Sequence, residues 1–353
     1  MANIPRFEND LRARRAVRGW SQEQLARRSG LSRAGISAIE TGRLIPSAAA
    51  ALALAAALES RVEDLFRLRD GESRETAWAW TPRGEPCRYW KAAVGASMKL
   101  YPTEATASGF VAHDGVYRAG AFEQEFADDP EHTLVMASCD PAAGLLATEL
   151  ARAAGIRLIA LARSSRRALS LVGQGLVHVA GVHLTVAGQP RGNAAIVRRE
   201  LGAGYHLLRV ARWDEGITYA PGLSFASISA VVGSNLRWVG REDGSGARQC
   251  LDEILGDRRP PRRLASDHRG VAEAVRSGWA DAGVCLRLVS DEAGLDFLSV
   301  REENYDLCFS DRFKSDHRIL ALVQVVRSPS YRKALGELPG YDSAETGSLS
   351  RVT

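Results

Sequence analysis

Long apolar runs are missing from this sequence of 353 residues. No stretch reaches the roughly 18 apolar residues that a membrane-spanning helix needs, and the nearest candidate, residues 47–58, is short and dominated by alanine. The first ten residues carry charges of both signs and lack the apolar segment of a signal peptide. We therefore predict no membrane span and expect the protein to be cytoplasmic.

Cysteine is also scarce, with five residues in the whole chain. They are Cys87, Cys139, Cys250, Cys285 and Cys308, and no two of them are spaced as Cys-x-x-Cys. Disulfide frameworks and structural zinc sites are recognised by paired cysteines. Neither is predicted here, no metal or cofactor is expected, and the thiols are expected to be reduced.

An excess of positive charge is absent from most of the chain, although the net charge is +4. Residues 1–70 hold 12 arginines against 8 acidic residues, and the rest of the chain holds 34 residues of each sign. A basic excess confined to one short segment indicates a polyanionic partner, because each neutralised phosphate releases counterions. The charge pattern favours nucleic acid binding, and the length favours two or three domains.

The first 70 residues show the caps and periodicity of five short helices. A first helix is predicted over residues 6–18, and a second begins after Ser21, which forms a capping box with Gln24, and ends at Gly30. The remaining helices are predicted from the cap at Ser32 to Gly42, over residues 47–59, and from Val62. We predict an all-α domain of five helices over residues 1–70.

The segment from Trp20 to Ser47 resembles the helix-turn-helix of the lambda-repressor and Cro type, also called the XRE family. It contains Gln22 and Ala26 in the second helix and a Gly-Leu-Ser-Arg turn at residues 30–33. The resemblance implies that the third helix enters the major groove of operator DNA. It also implies phosphate contacts from Gln22 and Arg43 and base contacts from Ser32, Arg33, Ala34, Ser37 and Ala38.

Residues 71–130 are the least patterned part of the chain. Residues 70–75 are polar, charged and without periodicity, which is typical of a linker. Beyond them, residues 88–92 and 109–111 are possible strands. We predict a linker followed by a small mixed or β segment.

After Asp129-Pro130 the pattern changes to buried strands that alternate with amphipathic helices. Strands are predicted over residues 133–138, 156–161, 177–184, 205–212, 237–241 and 282–286, and helices over residues 142–154, 166–173, 193–201 and 270–277 and from residue 247. This alternation is typical of a parallel α/β sheet. We predict two similar α/β lobes over residues 131–353.

Three predicted helices of this region begin just after hydroxyl-bearing residues. These helix starts are Ser138-Cys139-Asp140, Ser164-Ser165 and Gly244-Ser245-Gly246. The N–H groups at a helix N-terminus bind anions. We expect the three helix starts to converge on one cleft.

Five segments, at residues 138–142, 181–184, 217–222, 244–248 and 278–283, resemble the periplasmic-binding-protein-like domain of bacterial one-component regulators, a group often described as molybdate-binding-like. The resemblance covers residues 131–310 or so and implies a type II fold, in which two α/β lobes close on a ligand by a hinge motion. The candidate ligand residues are Ser138, Cys139, Asp140, Ser164, Ser165, His183, Gly244, Ser245, Gly246, Arg248, Asp281 and Tyr305.

Four of these side chains have individual expectations. His183 ends a predicted strand and should face the cleft, whereas His178 should point to the opposite face. Tyr305 follows a strand and either closes the cleft or packs in the core, and Asp281 is better suited to orient backbone N–H groups than to touch a ligand. Arg248 either binds the acid group of a ligand or forms a surface or structural ion pair.

The ligand class is less clear because the sequence departs from the family pattern Asn-Arg-Gln-x-Gly-Ser-Gly-Thr-Arg. Gly240, Glu242 and Ala247 replace three of those residues, which removes a hydroxyl and adds a carboxylate. Glu242 or Asp243 would favour a ligand that carries an amine as well as an acid group. Both a bare oxyanion such as molybdate and a small organic acid or zwitterion remain open.

The predicted fold is multidomain: a five-helix all-α helix-turn-helix domain followed by a two-lobed α/β type II domain. The predicted function is a transcriptional regulator that binds double-stranded operator DNA as a dimer or dimer of dimers and responds to a small polar or anionic effector, without catalysis. Two alternatives remain open. One is an enzyme with Cys139 as nucleophile and His183 as base; in the other, the C-terminal domain only mediates oligomerisation.

Overall fold

The computed structural model describes residues 6–69, 75–106, 109–124, 129–184, 192–256 and 258–353. The chain divides into two units between Arg74 and Glu75. In the described part of the chain, every helix is too short or too polar to cross a membrane.

The first unit contains five helices and one pair of short strands. Its elements are β1 (Arg6–Asn9), α1 (Leu11–Val17), α2 (Gln22–Ser29), α3 (Arg33–Glu40), α4 (Ala48–Ala57), α5 (Val62–Leu65) and β2 (Phe66–Arg69). The prediction that the first helix starts at Arg6 is wrong. Residues 6–9 pair antiparallel with residues 66–69, so their backbone is extended and the helix begins only at Leu11.

The helix boundaries around α2 and α3 follow from local side chains. The Ser21 Oγ accepts a hydrogen bond from the Gln24 N–H at 3.1 Å, and the Gln24 Oε1 accepts one from the Ser21 N–H at 2.7 Å, which confirms the predicted capping box. Gly30 ends α2 with a left-handed φ of 73°, which suits glycine, and Ser32 caps α3. The buried faces of both helices then pack around Leu25 and Ile36.

The second unit begins with a five-stranded sheet. Its strands are β3 (Thr76–Trp78), β4 (Cys87–Val94), β5 (Ser97–Pro102), β6 (Gly115–Arg118) and β7 (Ala121–Gln124), in the order β3-β5-β4-β6-β7. The predicted strand at 88–92 lies within β4. Residues 109–111 do not form the possible strand, because only Gly109 makes an isolated bridge, to Thr106.

This sheet packs on the α/β part of the same unit. Trp90 and Tyr101 are buried in a hydrophobic core that it shares with the α/β part, and the Tyr101 hydroxyl donates to the Leu176 carbonyl at 2.6 Å. From residue 75 onward, the segment predicted over 71–130 therefore lies in one compact unit with the α/β region.

The first lobe contains three parallel strands and their helices. After a short 3-10 turn (Pro130–His132), its elements are β8 (Thr133–Ser138), α6 (Ala143–Ala154), β9 (Arg157–Ala162), α7 (Ser165–Gly173), β10 (Val179–Val182) and α8 (Gly192–Leu201). The strands run in the order β10-β8-β9. The α/β alternation predicted from sequence is thus confirmed.

The long strand β11 (Tyr205–Tyr219) leads from the first lobe into the second. The second lobe contains α9 (Ile228–Gly233), β12 (Trp238–Arg241), α10 (Gly246–Leu255), β13 (Leu264–Ala265), α11 (His268–Arg276), β14 (Ala282–Leu286) and α12 (Arg287–Glu292). Its strands β13, β12 and β14 are parallel.

A second long strand, β15 (Asp296–Ser310), returns to the first lobe and pairs antiparallel with β11 along its whole length. The chain ends with α13 (His317–Arg327), α14 (Pro329–Gly336), β16 (Tyr341–Asp342) and β17 (Leu349–Val352) against the first lobe. The two long strands join the lobes, and their register shifts near Ala211 and Gly216. This is the two-lobed type II architecture that the sequence predicted.

Candidate functional site

The carboxyl ends of strands from both lobes meet at the middle of β11 and β15. Cys139 follows β8, His183 follows β10, and Arg241 ends β12. Ligands of open α/β sheets bind beyond the carboxyl ends of parallel strands. This meeting point is therefore the candidate site.

The long strands contribute polar side chains to the same place. Trp213 pairs with Glu303, and Glu215 pairs with Arg301. Directly paired residues share one face of a sheet, and residues two apart on a strand do too. All four side chains therefore project from the same face.

His183 is the centre of a buried chain of hydrogen bonds. Its Nε2 lies 2.9 Å from the Cys139 Sγ, and its Nδ1 lies 2.7 Å from the Glu303 Oε2. Its backbone N–H donates to the Ser165 Oγ at 3.1 Å. Burial alone would lower the pKa of His183, but Cys139 and Glu215 outweigh it and raise the pKa above its ordinary value.

Two buried carboxylates share one arginine beside this histidine. Arg301 Nη2 lies 3.2 Å from Glu215 Oε2 and 2.5 Å from Glu303 Oε1. The contact to Glu303 is an ion pair whose angle does not make a hydrogen bond. Burial, with the neighbouring Glu303, raises the pKa of Glu215 to about 8. Burial also raises the pKa of Glu303 to about 7, against the lowering effect of Arg301.

Arg241 and His268 are buried without hydrogen bonds. Arg241 is 1% exposed, and its three guanidinium nitrogens have no partner among the described residues. Its nearest carboxylate is Glu242, whose Oε1 lies 3.8 Å from Nη2. His268 is also 1% exposed, and neither ring nitrogen is hydrogen-bonded. Burial, and then the nearby positive charge of Arg241, hold the pKa of His268 well below its ordinary value.

Unpaired buried polar groups are costly, so their concentration in one place needs a reason. A buried guanidinium presents a fork of donors that matches an anion such as a carboxylate or tetrahedral oxyanion. Arg241 therefore has the chemistry of an anion-binding residue.

Aromatic rings form one wall of the site. Trp213 stacks on Tyr305 with ring centroids 4.4 Å apart, and His183 meets the Trp213 ring at 4.9 Å. The Tyr305 hydroxyl lies 2.7 Å from the Ser138 Oγ. Tyr305 sits within β15, so the expectation that it follows a strand is wrong. The continuous pairing of β15 with β11 through this position keeps it in the strand.

The lobes touch across the cleft. A Cβ atom on Gly246 of the second lobe would lie 2.5 Å from Nδ1 of His183 in the first, so only glycine permits this approach. The Arg269 Nη2 donates to the Pro141 carbonyl at 3.3 Å. Because the site is buried behind these contacts, the lobes must separate before a ligand can enter.

The structure brings most of the predicted ligand residues to this site or its rim. Cys139 and His183 are central, and six more are buried around them: Ser138, Asp140, Ser164, Ser165, Ser245 and Gly246. The Asp140 carboxylate accepts from the Tyr341 hydroxyl at 2.7 Å and from the Ala142 N–H at 2.9 Å. Asp140 thus fixes the start of α6.

The structure does not place three predicted residues inside the buried site. Gly244 and Arg248 line an open pocket of about 660 Å³ at the surface, where Arg248 pairs with Asp252 at 2.8 Å. Asp281 lies at the opposite, amino end of β12 and β14, where its carboxylate accepts from the Arg237 N–H at 2.8 Å. Asp281 therefore orients backbone and does not reach the cleft.

Sequence reasoning missed six of the aromatic, polar and charged residues of the site. They are Trp213, Glu215, Arg241, His268, Arg301 and Glu303. Arg241 had one usable signal, since it ends a predicted parallel strand just before the Gly-Ser-Gly turn. Trp213, Glu215, Arg301 and Glu303 lie far from His183 in sequence and reach the site on the paired strands β11 and β15, and His268 reaches it at the start of α11.

The predicted DNA-contacting residues lie on α2, α3 and the turn that follows. Arg33 and Ala34 are exposed, and Ser37 and Ala38 are half-buried. The Gln22 amide donates to Glu40 at 2.9 Å, and the Arg43 Nε donates to the Thr41 hydroxyl at 3.0 Å. Ser32 caps α3.

Comparison with protein families agrees with this architecture. The family described as PBP superfamily domain matches residues 147–327, about half of the chain. The chain belongs to the PBP superfamily. A helix-turn-helix family matches residues 11–65, so this PBP-superfamily protein carries an N-terminal helix-turn-helix DNA-binding domain.

Relatives match the two units separately. YvgK of Bacillus subtilis, an uncharacterised protein, is 29% identical over 186 residues, which is 50% of this chain and 60% of YvgK. The match therefore spans less than two thirds of that relative. An uncharacterised HTH-type transcriptional regulator of Methanocaldococcus jannaschii, MJ0272, is 38% identical over 66 residues, which is 19% of this chain and 100% of the relative.

A solved structure similar to this chain is PhnD1 from Prochlorococcus marinus in complex with methylphosphonate. It has a TM-score of 0.44 and 13% sequence identity, and the match covers 61% of this chain and 93% of PhnD1.

Proposed function

We propose that this protein is a transcriptional regulator that binds operator DNA as a homodimer and responds to a small anion held between its two lobes. The observation that carries the proposal is the buried guanidinium of Arg241, whose three nitrogens have no hydrogen-bond partner among the described residues. His268 adds two unpaired ring nitrogens beside it. An anion would satisfy these groups and offset the cost of burying the arginine charge.

The distribution of carboxylates favours an anion over a zwitterion. Asp243 is 92% exposed at its side chain and does not face the buried site, and Glu242 is 42% exposed with its Oε1 3.8 Å from the positively charged Arg241, which competes with an amine for that carboxylate. The carboxylates that do face it, Glu215 and Glu303, are both paired with Arg301. Arg241 is buried in the cleft, whereas Arg248 lines an open pocket at the surface. In this proposal Arg241, and not Arg248, binds the acid group of the ligand.

Lobe closure provides the link between effector and DNA. Because the site contains residues of both lobes, an anion bound there stabilises the closed form. Closure bends β11 and β15, which join the lobes. In a dimer, this movement would alter the spacing of the two helix-turn-helix domains and hence their fit to two half-sites.

The test is thermal unfolding of the full-length protein with molybdate, tungstate, sulfate, phosphate, small carboxylates and amino acids. A ligand at 100 times its Kd stabilises a protein by about 2.7 kcal/mol. We expect at least one anion to raise the Tm, the Arg241→Met variant to lose that shift, and the Arg248→Met variant to keep it. Retention of the shift in Arg241→Met would contradict the site, and no shift with any compound would contradict the sensor.

Further experiments distinguish the proposed regulator from two alternatives, an enzyme and an oligomerisation module. An enzyme that uses Cys139 and His183 would lose turnover in Cys139→Ser, whereas a regulator would keep anion-dependent DNA binding in that variant. A C-terminal domain that serves only oligomerisation would leave the unpaired donors of Arg241 unexplained. Sedimentation of the full-length protein with and without DNA would measure the proposed dimer.

A further inference from the structure

Three side chains of the site form a group that shares only His268 with the proposed anion site. Cys139, His183 and His268 are buried, and one donor atom from each lies within 4.8 Å of the other two. The ring nitrogens of His268 have no hydrogen-bond partner in the part of the chain that the structure describes. We propose that these three residues bind one borderline transition-metal ion of the zinc class. The metal proposal does not depend on the proposed function, although both involve His268.

The surroundings of His183 orient it as a metal ligand. Its Nδ1 faces the Glu303 carboxylate at 2.7 Å, which leaves Nε2 directed at the Cys139 sulfur at 2.9 Å. Ligating histidines generally donate their other ring N–H to a carboxylate or carbonyl, which fixes the tautomer and the ring orientation. Glu303 is held in turn by Arg301.

The donor set selects the kind of ion. One thiolate and two imidazoles suit zinc and neighbouring transition metals and are poor ligands for magnesium or calcium. Three protein ligands leave a tetrahedral ion one position for water or an exchangeable ligand. A tetrahedral ion also needs its sulfur and nitrogen ligands roughly 3.5 Å apart, so Cys139 and His183 must separate slightly when the ion binds.

A second group of three, His183, Glu215 and Glu303, is a weaker candidate. Its ligand atoms are also within 4.8 Å of one another, but both carboxylates are already paired with Arg301. An incoming cation would have to displace that guanidinium. Among the described residues the Cys139 group is not paired with a guanidinium, and the thiolate that forms when a metal ion binds would offset the nearby charge of Arg241.

The binding test uses full-length protein that has been reduced and stripped of metal with a chelator, then titrated with Co²⁺ and with Zn²⁺. We expect one ion per chain, a sulfur-to-cobalt charge-transfer band, and X-ray absorption of the zinc form with one sulfur and two nitrogen ligands. Wild-type spectra with only oxygen and nitrogen ligands, or no stoichiometric binding, would overturn the proposal without any variant.

Variants then assign the ligands. Cys139→Ser should lose the charge-transfer band, and His268→Ala should lower Zn²⁺ affinity more than tenfold. The matched control is Cys250→Ser, another buried cysteine, in the core of the second lobe, which should keep the band. Glu303→Gln should weaken Zn²⁺ binding by roughly 10- to 100-fold, as loss of a supporting carboxylate does. A band that survives in Cys139→Ser would overturn the assignment.

The same preparation separates this proposal from the proposed function. Arg241→Met should lose stabilisation by anions but still bind one Co²⁺ per chain with the thiolate band. If no anion stabilises the wild type and the cobalt spectrum is as expected, the metal site stands and the anion sensor fails.

Discussion

Two buried arginines in the second unit have opposite surroundings. Arg318 is 3% exposed, and its guanidinium donates to the Ala93 carbonyl at 2.7 Å, to the Thr133 carbonyl at 3.1 Å and to the Asp316 carboxylate at 2.6 Å. Arg241 is 1% exposed and has none of these bonds. Two arginines that are equally buried therefore differ in hydrogen-bond satisfaction, and this difference is why we propose a binding role for Arg241 and a structural role for Arg318.

The histidines repeat this contrast. His178 Nδ1 accepts from the Val135 N–H at 3.0 Å, and its Nε2 lies 2.9 Å from the Ala93 carbonyl. Both of its nitrogens are used by backbone, so His178 ties the 75–124 sheet to the first lobe. His183, five residues later, is bound only by side chains at its ring nitrogens. The prediction that His178 points away from the cleft is consistent with these contacts.

The largest expected effect is the difference in unfolding free energy between variants of Arg318 and of Arg241. Arg318→Met leaves the Asp316 carboxylate without its buried partner and should lower the free energy of unfolding by about 3–5 kcal/mol. Arg241→Met should leave it unchanged or raise it, because no hydrogen bond is lost. Urea unfolding followed by tryptophan fluorescence measures both, since six of the seven tryptophans lie beyond residue 74. Equal losses of unfolding free energy in the two variants would contradict the distinction between the two arginines.

The pH dependence of unfolding should depend on His178, which like Arg318 is buried with its hydrogen bonds satisfied. Burial, and then Arg318, lower the pKa of His178 from 6.5 to about 3. Between these values the unfolded chain binds a proton that the folded chain does not, so His178 contributes stability above pH 6.5 that is lost as the pH falls towards 3. The His178→Gln variant should lose less stability over this range, and the half-exposed His317→Gln serves as its control. A slope unchanged in His178→Gln would contradict this account.

The smallest expected effect concerns an exposed arginine, to which the comparison of buried arginines by their hydrogen bonds does not apply. Arg33 is exposed on α3, where water hydrates its guanidinium, so its role is not visible in the buried hydrogen bonds. Arg33→Ala should leave stability unchanged and cost about 1–3 kcal/mol in specific DNA binding. Gln22→Ala should weaken binding to all sequences alike. Operator affinity that is the same in both variants and the wild type would remove α3 from the DNA interface.

What sequence predicted well is encoded by neighbouring residues. The caps at Ser21 and Ser32 and the left-handed stop at Gly30 depend on side chains within three residues, and the strand predicted over 282–286 is β14 as observed. These features need no knowledge of distant parts of the chain.

What sequence missed depends on pairing between distant segments. Residues 6–9 are extended because residues 66–69 pair with them. Glu303 reaches His183 from 120 positions away because β15 passes through both lobes. No local pattern indicates either contact, and the same holds for the convergence of Cys139 and His268.

The attachment of the 75–124 sheet has a consequence for signalling. Through the Ala93 carbonyl, which accepts from both His178 and Arg318, this sheet is anchored to the first lobe. The segment that follows the first unit is therefore anchored to the first lobe, while the backbone enters and leaves the second lobe through β11 and β15. We expect the second lobe to be the part that moves when the lobes close or open.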